Sequence, residues 1–88
     1  MASKTVVVGS AVGLHARPAA IVAEAAEKYD DEITLAVEGA DADEPVDAAS
    51  ALMIMTLGAE NGVRVIVESE NADAVEEIAA LIEKDLDA

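Results

Sequence analysis

Ser50-Ala51-Leu52-Met53-Ile54-Met55-Thr56-Leu57-Gly58, followed by Glu60-Asn61-Gly62 and Val63-Arg64-Val65-Ile66-Val67, holds a helix, its stop, a turn and a strand in one short stretch. Serine is a favoured N-cap because its hydroxyl oxygen accepts a bond from a first-turn N–H that the helix itself leaves unpaired. Ala51 to Leu57 are strongly apolar, and Gly58 suits a helix stop. Asn61-Gly62 supplies a turn, and the mostly β-branched run from Val63 to Val67 reads as a strand.

Reading outward from this stretch gives the remaining elements. Upstream, Pro45-Val46-Asp47 predicts a short edge strand, since proline cannot donate to a ladder. Gly39 to Glu44 reads as an exposed acidic turn, and Ile33-Thr34-Leu35-Ala36-Val37 as a strand. Between Ala16 and Tyr29, apolar Ala19, Val22, Ala23 and Ala26 recur at helical spacing, with Glu24, Glu27 and Lys28 elsewhere. Pro18 fits the first turn of that helix, where its missing N–H has no intrahelical acceptor to lose. Gly9 to Leu14 is a loop, and Thr5 to Val8 a first strand. Downstream, Asn71 or Asp73 caps a last helix whose stripe is Val75, Ile78, Ala79, Ile82 and Leu86. The order βαββαβα predicts an α+β open-faced β-sandwich, with a four-stranded antiparallel sheet and three helices on one face. Residues 1–88 read as a single domain.

Composition narrows the function. Hydrophobic residues make up 53% of the chain but aromatics only 1%, so the core must be built from small side chains packed closely. Five basic residues face 19 acidic ones, a net charge of −14. Nucleic acid is excluded as a partner, because binding it requires cations against phosphates. An anionic membrane surface is disfavoured for the same reason. Such self-repulsion is relieved by concentrated salt, where the Debye length falls to about 3 Å at 1 M, and this points to a halophilic source. The absence of cysteine excludes disulfides and thiol chemistry, and one histidine cannot build a zinc cluster. No metal or cofactor is expected. The sequence contains neither an apolar signal segment nor a run near the ~20 residues of a membrane span, so a cytoplasmic protein is expected.

One short run concentrates the chemistry: Gly13-Leu14-His15-Ala16-Arg17-Pro18-Ala19-Ala20. His15 stands at the start of the first helix. A helix N-terminus presents unpaired N–H groups and a partial positive charge, which suits an anion and keeps an imidazole neutral and nucleophilic. Arg17 adds a planar cation matched to phosphate oxygens. Gly13 lets the backbone approach a ligand. Taken alone, a histidine at a helix start is more often a surface group or cap, and Arg17 an ordinary solvated charge.

This run resembles the active-site motif of HPr, the histidine-containing phosphocarrier family of the phosphoenolpyruvate-dependent sugar phosphotransferase system. Asp47-Ala48-Ala49-Ser50-Ala51-Leu52-Met53-Ile54-Met55-Thr56-Leu57-Gly58-Ala59 is similar to the family's second motif, and the likeness extends over nearly the whole chain. The resemblance implies that His15 accepts phosphate on Nδ1 from phosphorylated enzyme I and passes it to a sugar-specific IIA domain. It implies that Arg17 stabilises the phosphate and that the backbone N–H groups of Ala16 and Arg17 cradle it. The protein would then be a carrier, not an independent turnover catalyst, and a monomer. Partners would dock on a patch formed by Ala16, Ala20, Ala51, Leu52 and Met55, while Met53, Ile54 and Leu57 are candidates for the core.

Several positions depart from the family pattern. Where many members carry lysines, this chain has Glu24, Glu27 and Ala49, so steering toward acidic partners is not expected. The acidic turn at 39–45 is longer than the family pattern. Ser50 matches a serine that some relatives phosphorylate for regulation, although capping is its everyday role. Two alternatives remain at this point: an HPr-like regulatory or interaction domain without phosphotransfer, and a relay to a dihydroxyacetone kinase system.

Overall fold

The computed structural model describes residues 2–9, 13–14, 16–38, 45–57 and 60–84. Its elements run β1 (Ala2–Val7), α1 (Ala16–Glu27), β2 (Ile33–Val37), β3 (Val46–Asp47), α2 (Ala51–Thr56), β4 (Arg64–Ser69) and α3 (Ala72–Glu83). The four strands form one sheet in the order β1-β4-β2-β3, and every neighbouring pair is antiparallel. β1 and β2 are therefore parallel with β4 between them, and β3 and β4 are parallel with β2 between them. Helices α1 and α2 make these two interleaved crossovers.

Strand alternation separates the two faces of the sheet. Val6, Val65, Val67, Ile33 and Leu35 are buried on the helix-covered face. Register aligns them in rows: Val6 faces Val65, which faces Val37, and Val67 faces Leu35. Exposed Thr5, Val7 and Arg64 belong to the opposite, open face. α3 packs on β1, β4 and α1, and α1 also packs on α2. Ala19, Ala48, Ala74 and Ala79 have no exposed surface, so helix backbones approach the sheet and each other closely. An open-faced α+β sandwich with small-residue packing is the architecture that the sequence predicts.

Element boundaries differ in physically readable ways. β1 begins at Ala2, not Thr5. It is an edge strand, and Ser3, Lys4 and Thr5 are all exposed, so no alternating pattern marks its start. α1 ends at Glu27, after which Lys28 and Tyr29 donate to carbonyls only three residues back (Ala25 and Ala26), tightening the last turn. β4 runs from Arg64 to Ser69, because Val63 N–H closes the preceding turn on Glu60 and buried Ser69 accepts a bond from Asn71 N–H. Asn71, not Asp73, caps α3, its side-chain oxygen accepting from the N–H groups of Asp73 and Ala74 at 3.0 and 3.2 Å. β3 is an edge strand, as Pro45 predicts. The acidic turn at Gly39–Glu44, the helix stop at Gly58 and Leu86 lie outside the described residues.

Candidate functional site

The loop that leads into α1 is tied at both ends. At its start, Val8 N–H donates to Val63, and Gly62 N–H donates back to Val8. Asn61 Nδ2 reaches the carbonyls of Val8 and Gly9. Gly9 N–H donates to Ile82 of α3 at 3.0 Å. A Cβ on Gly9 would lie 1.8 Å from the carbonyl oxygen of Glu83, so only glycine permits this contact. At the loop's other end Gly13 has φ 77°, a left-handed conformation that glycine adopts without strain, and Leu14 is buried in the core. The helix then opens at Ala16.

His15 lies outside the described residues, and its two sequence neighbours are the core-anchored Leu14 and the first helical residue Ala16. Because α1 starts at Ala16, the N–H groups of Ala16 and Arg17 have no acceptor within the helix. Pro18 is buried in this first turn and has no N–H to satisfy. Arg17 is exposed. Lys4, Lys28 and Arg64 are engaged by Glu76, Glu77 and Glu38, whereas Arg17 makes no ion pair among the described residues. In a chain this acidic, a guanidinium without a carboxylate beside a helix start is suited to an anion from outside.

The second motif folds as expected of its cap. Ser50 has extended backbone at φ −113° and ψ 107°, and its Oγ accepts from Met53 N–H at 3.3 Å. Asp47 Oδ1 braces the approach by accepting from Ala49 N–H. Among the residues of α2, Ile54 is the fully buried anchor, while Leu52 is 69% exposed and Met55 37%. Met53 differs from its core reading, being 42% exposed. With six residues and one buried position, the helix turns only a narrow face inward, and Leu57 beyond it is half-buried. Ala16 and Ala20 are exposed on α1, and Ala51 is half-buried.

A sequence profile described as "PTS HPr component phosphorylation site" matches residues 2–84. The chain belongs to the HPr family. "Phosphocarrier protein HPr" of Streptomyces coelicolor is 42% identical over 91 residues, covering 99% of this chain and 94% of that one. "Phosphocarrier protein HPr" of Haloferax volcanii is 41% identical over 73 residues, covering 81% and 80%. A crystal structure of HPr-C-His from Thermoanaerobacter tengcongensis superposes with a TM-score of 0.85 at 31% identity, covering 100% and 98%. The fold and the phosphocarrier family thus agree with the reading of the two motifs.

Sequence reasoning missed a second polar cluster. Tyr29, the sole tyrosine, donates its hydroxyl to Glu77 Oε1, and Lys28 Nζ lies 3.0 Å from Glu77 Oε2. The bond from Tyr29, then that from Lys28, holds the Glu77 carboxyl below its ordinary value. The same bond pushes the Tyr29 phenol up. This cluster joins the end of α1 to α3, far along the helix from Arg17, and no local sequence signal reveals a pairing across 48 positions.

Proposed function

We propose that the chain is a cytoplasmic phosphocarrier that accepts a phosphoryl group on His15 from phosphorylated enzyme I and donates it to a sugar-specific IIA domain. The observation that carries this reading is Arg17: an exposed guanidinium without an ion-pair partner among the described residues, in the first turn of a helix that begins one residue after His15. The neutral imidazole attacks phosphorus with its Nδ1 lone pair. The N–P bond forms as the donor's bond to phosphorus breaks, and the donor keeps that electron pair. Arg17 and the N–H groups of Ala16 and Arg17 offset the charge on the transferred group, which is the main demand of phosphoryl transfer. In the second transfer the N–P electron pair returns to Nδ1. The apolar surface of Ala16, Ala20, Ala51, Leu52 and Met55, extended by Met53, receives the partners.

Incubation with cognate enzyme I and radiolabelled phosphoenolpyruvate tests the reading. Acid-labile, alkali-stable label should appear on the wild type and vanish in His15→Ala. Arg17→Ala should slow transfer by about 10²-fold, the cost of removing one preorganised charge-stabilising group. Wild-type protein that takes no label from cognate enzyme I would refute the reading.

A further inference from the structure

In the turn Asn61-Gly62, both groups needed for a covalent self-reaction are held by one short piece of backbone at the end of β1. Gly62 N–H donates to the carbonyl of Val8 at 3.1 Å. Asn61 Nδ2 donates to the carbonyls of Val8 and Gly9 at 3.4 and 3.3 Å. Val63 N–H closes the turn on Glu60. Gly62 has φ 90°, and a Cβ there would meet nothing within 4 Å. Both residues are exposed, and no side chain of its own shields the Gly62 nitrogen. A glycine nitrogen is the least hindered nucleophile that a backbone offers to the side-chain amide one residue earlier. The other asparagine, Asn71, is followed by Ala72, the first residue of α3, and its side-chain oxygen caps that helix. The chain has no glutamine, so amide loss is confined to these two positions.

We infer that Asn61-Gly62 is a site of spontaneous deamidation, guarded by Val8 and Gly9, and that its product loosens the loop leading to His15. When the turn parts from these carbonyls, both reacting groups lose their bonds to β1 together. The Gly62 nitrogen gives its proton to a solvent base, and its electron pair attacks Asn61 Cγ. The N–Cγ bond forms, the Cγ–Nδ2 bond breaks, and ammonia leaves with that electron pair and a proton. One water then opens the succinimide ring. Attack at Cγ leaves aspartate. Attack at the main-chain carbonyl carbon leaves isoaspartate, in which the backbone runs through Cβ and Cγ. Neither product restores the guard. Aspartate sets carboxylate oxygens where a donor stood, acceptor against acceptor at Val8 and Gly9. Isoaspartate lengthens the backbone by a methylene and moves Gly62 N–H off Val8. Asn61 is thus a positioning residue for the loop, and its deamidation is a one-way change. The effect on phosphoryl acceptance rests on the carrier reading above.

Ageing of the folded full chain in mildly alkaline buffer tests the inference, with isoaspartate read by enzymatic methylation and the site by peptide mass mapping. Modification should accumulate at Asn61 and not at Asn71. It should run at least about tenfold faster in the same chain unfolded in urea, where the hydrogen bonds that withhold both groups are lost. In Asn61→Asp, the amides of Gly9 and Gly62 should exchange with solvent about tenfold faster than in wild type. The initial rate of phosphorylation by enzyme I should fall about threefold to tenfold, because the loop is less well positioned. Asn71→Asp adds the same charge and keeps a capping side chain, so both readouts should stay near wild type. Circular dichroism checks folding. If Asn61→Asp does not fold, the aged fraction, separated on anion exchange by its added negative charge, supplies the same two readouts. Modification that favours Asn71, equal rates in folded and unfolded chains, or wild-type exchange or phosphorylation after loss of the Asn61 amide overturns the inference. Wild type that takes no label fails the carrier reading instead, while ageing and exchange still decide the site.

Discussion

Tyr29 is both a tie between helices and a built-in reporter. Its hydroxyl bond to Glu77, then burial, raises the phenol above its ordinary 10.0. As the sole tyrosine in a chain without tryptophan, it gives an uncluttered ultraviolet signal. Titration of tyrosinate absorbance should give a midpoint above 10.0, and Glu77→Gln should return it toward 10.0. The signs for stability follow. The phenol's folded value is raised, so its contribution is full below the unfolded value and is lost as pH rises through the folded one. The Glu77 carboxyl is lowered from 4.5, so its contribution is present above that value and is lost as pH falls through the folded one. Near neutral pH Glu77→Gln should therefore lower the unfolding midpoint relative to wild type, and the gap between the two should narrow as pH falls through the carboxyl's folded value and as it rises through the phenol's.

Among the elements, α2 divides two tasks between adjacent side chains. Ile54 has no exposed surface and ties the helix to the core, whereas Leu52 projects outward. Ile54→Ala should cost about 2–5 kcal/mol in denaturant unfolding, the range for truncating a buried aliphatic chain. Leu52→Ala should change stability by no more than about 0.5 kcal/mol, as exposed substitutions do, yet raise KM for phosphorylation by enzyme I. At this scale much was legible in the sequence. The Ser50 cap, the stripe of α3 and the edge position of β3 each follow from a local rule. Met53 was not legible, because periodicity locates a stripe but not how few residues of a six-residue helix can reach the core. The start of β1 was hidden for a related reason: an edge strand with three consecutive exposed residues has lost the alternation that identifies strands. At the site, Arg17 and the helix start were legible from Pro18 and the apolar stripe. The hold on the loop through Gly9, Asn61 and Ile82 joins residues that only the tertiary fold brings together.

For the whole molecule, charge dominates. The described residues form three ion pairs, all with exposed side chains, against an excess of 14 negative charges over the full chain. Exposed pairs contribute about 0–1 kcal/mol each and weaken in salt, while relief of the general repulsion grows with it. The repulsion is the larger effect, so the midpoint of thermal unfolding should rise as KCl increases from about 0.1 M toward molar concentrations. A midpoint that is flat or falls would remove the case for adaptation to high salt.

The topology also bears on when the protein becomes usable during its own synthesis. Among the described residues, β1 pairs with β4 and with no other strand. Gly9, at the head of the loop that precedes His15, is secured by the carbonyl of Ile82. On the ribosome, residues 1–27 emerge long before either partner has been made. The first strand therefore waits for the last, and the loop's anchor waits for nearly the final turn of α3. A nascent chain displays the His15 motif early but lacks the scaffold that holds the motif's approach in place. The dependence on distant partners thus sets an order of events: the approach to the motif is secured only after β4 and α3 have been made, and a nascent chain that stops short of Ile82 lacks that hold.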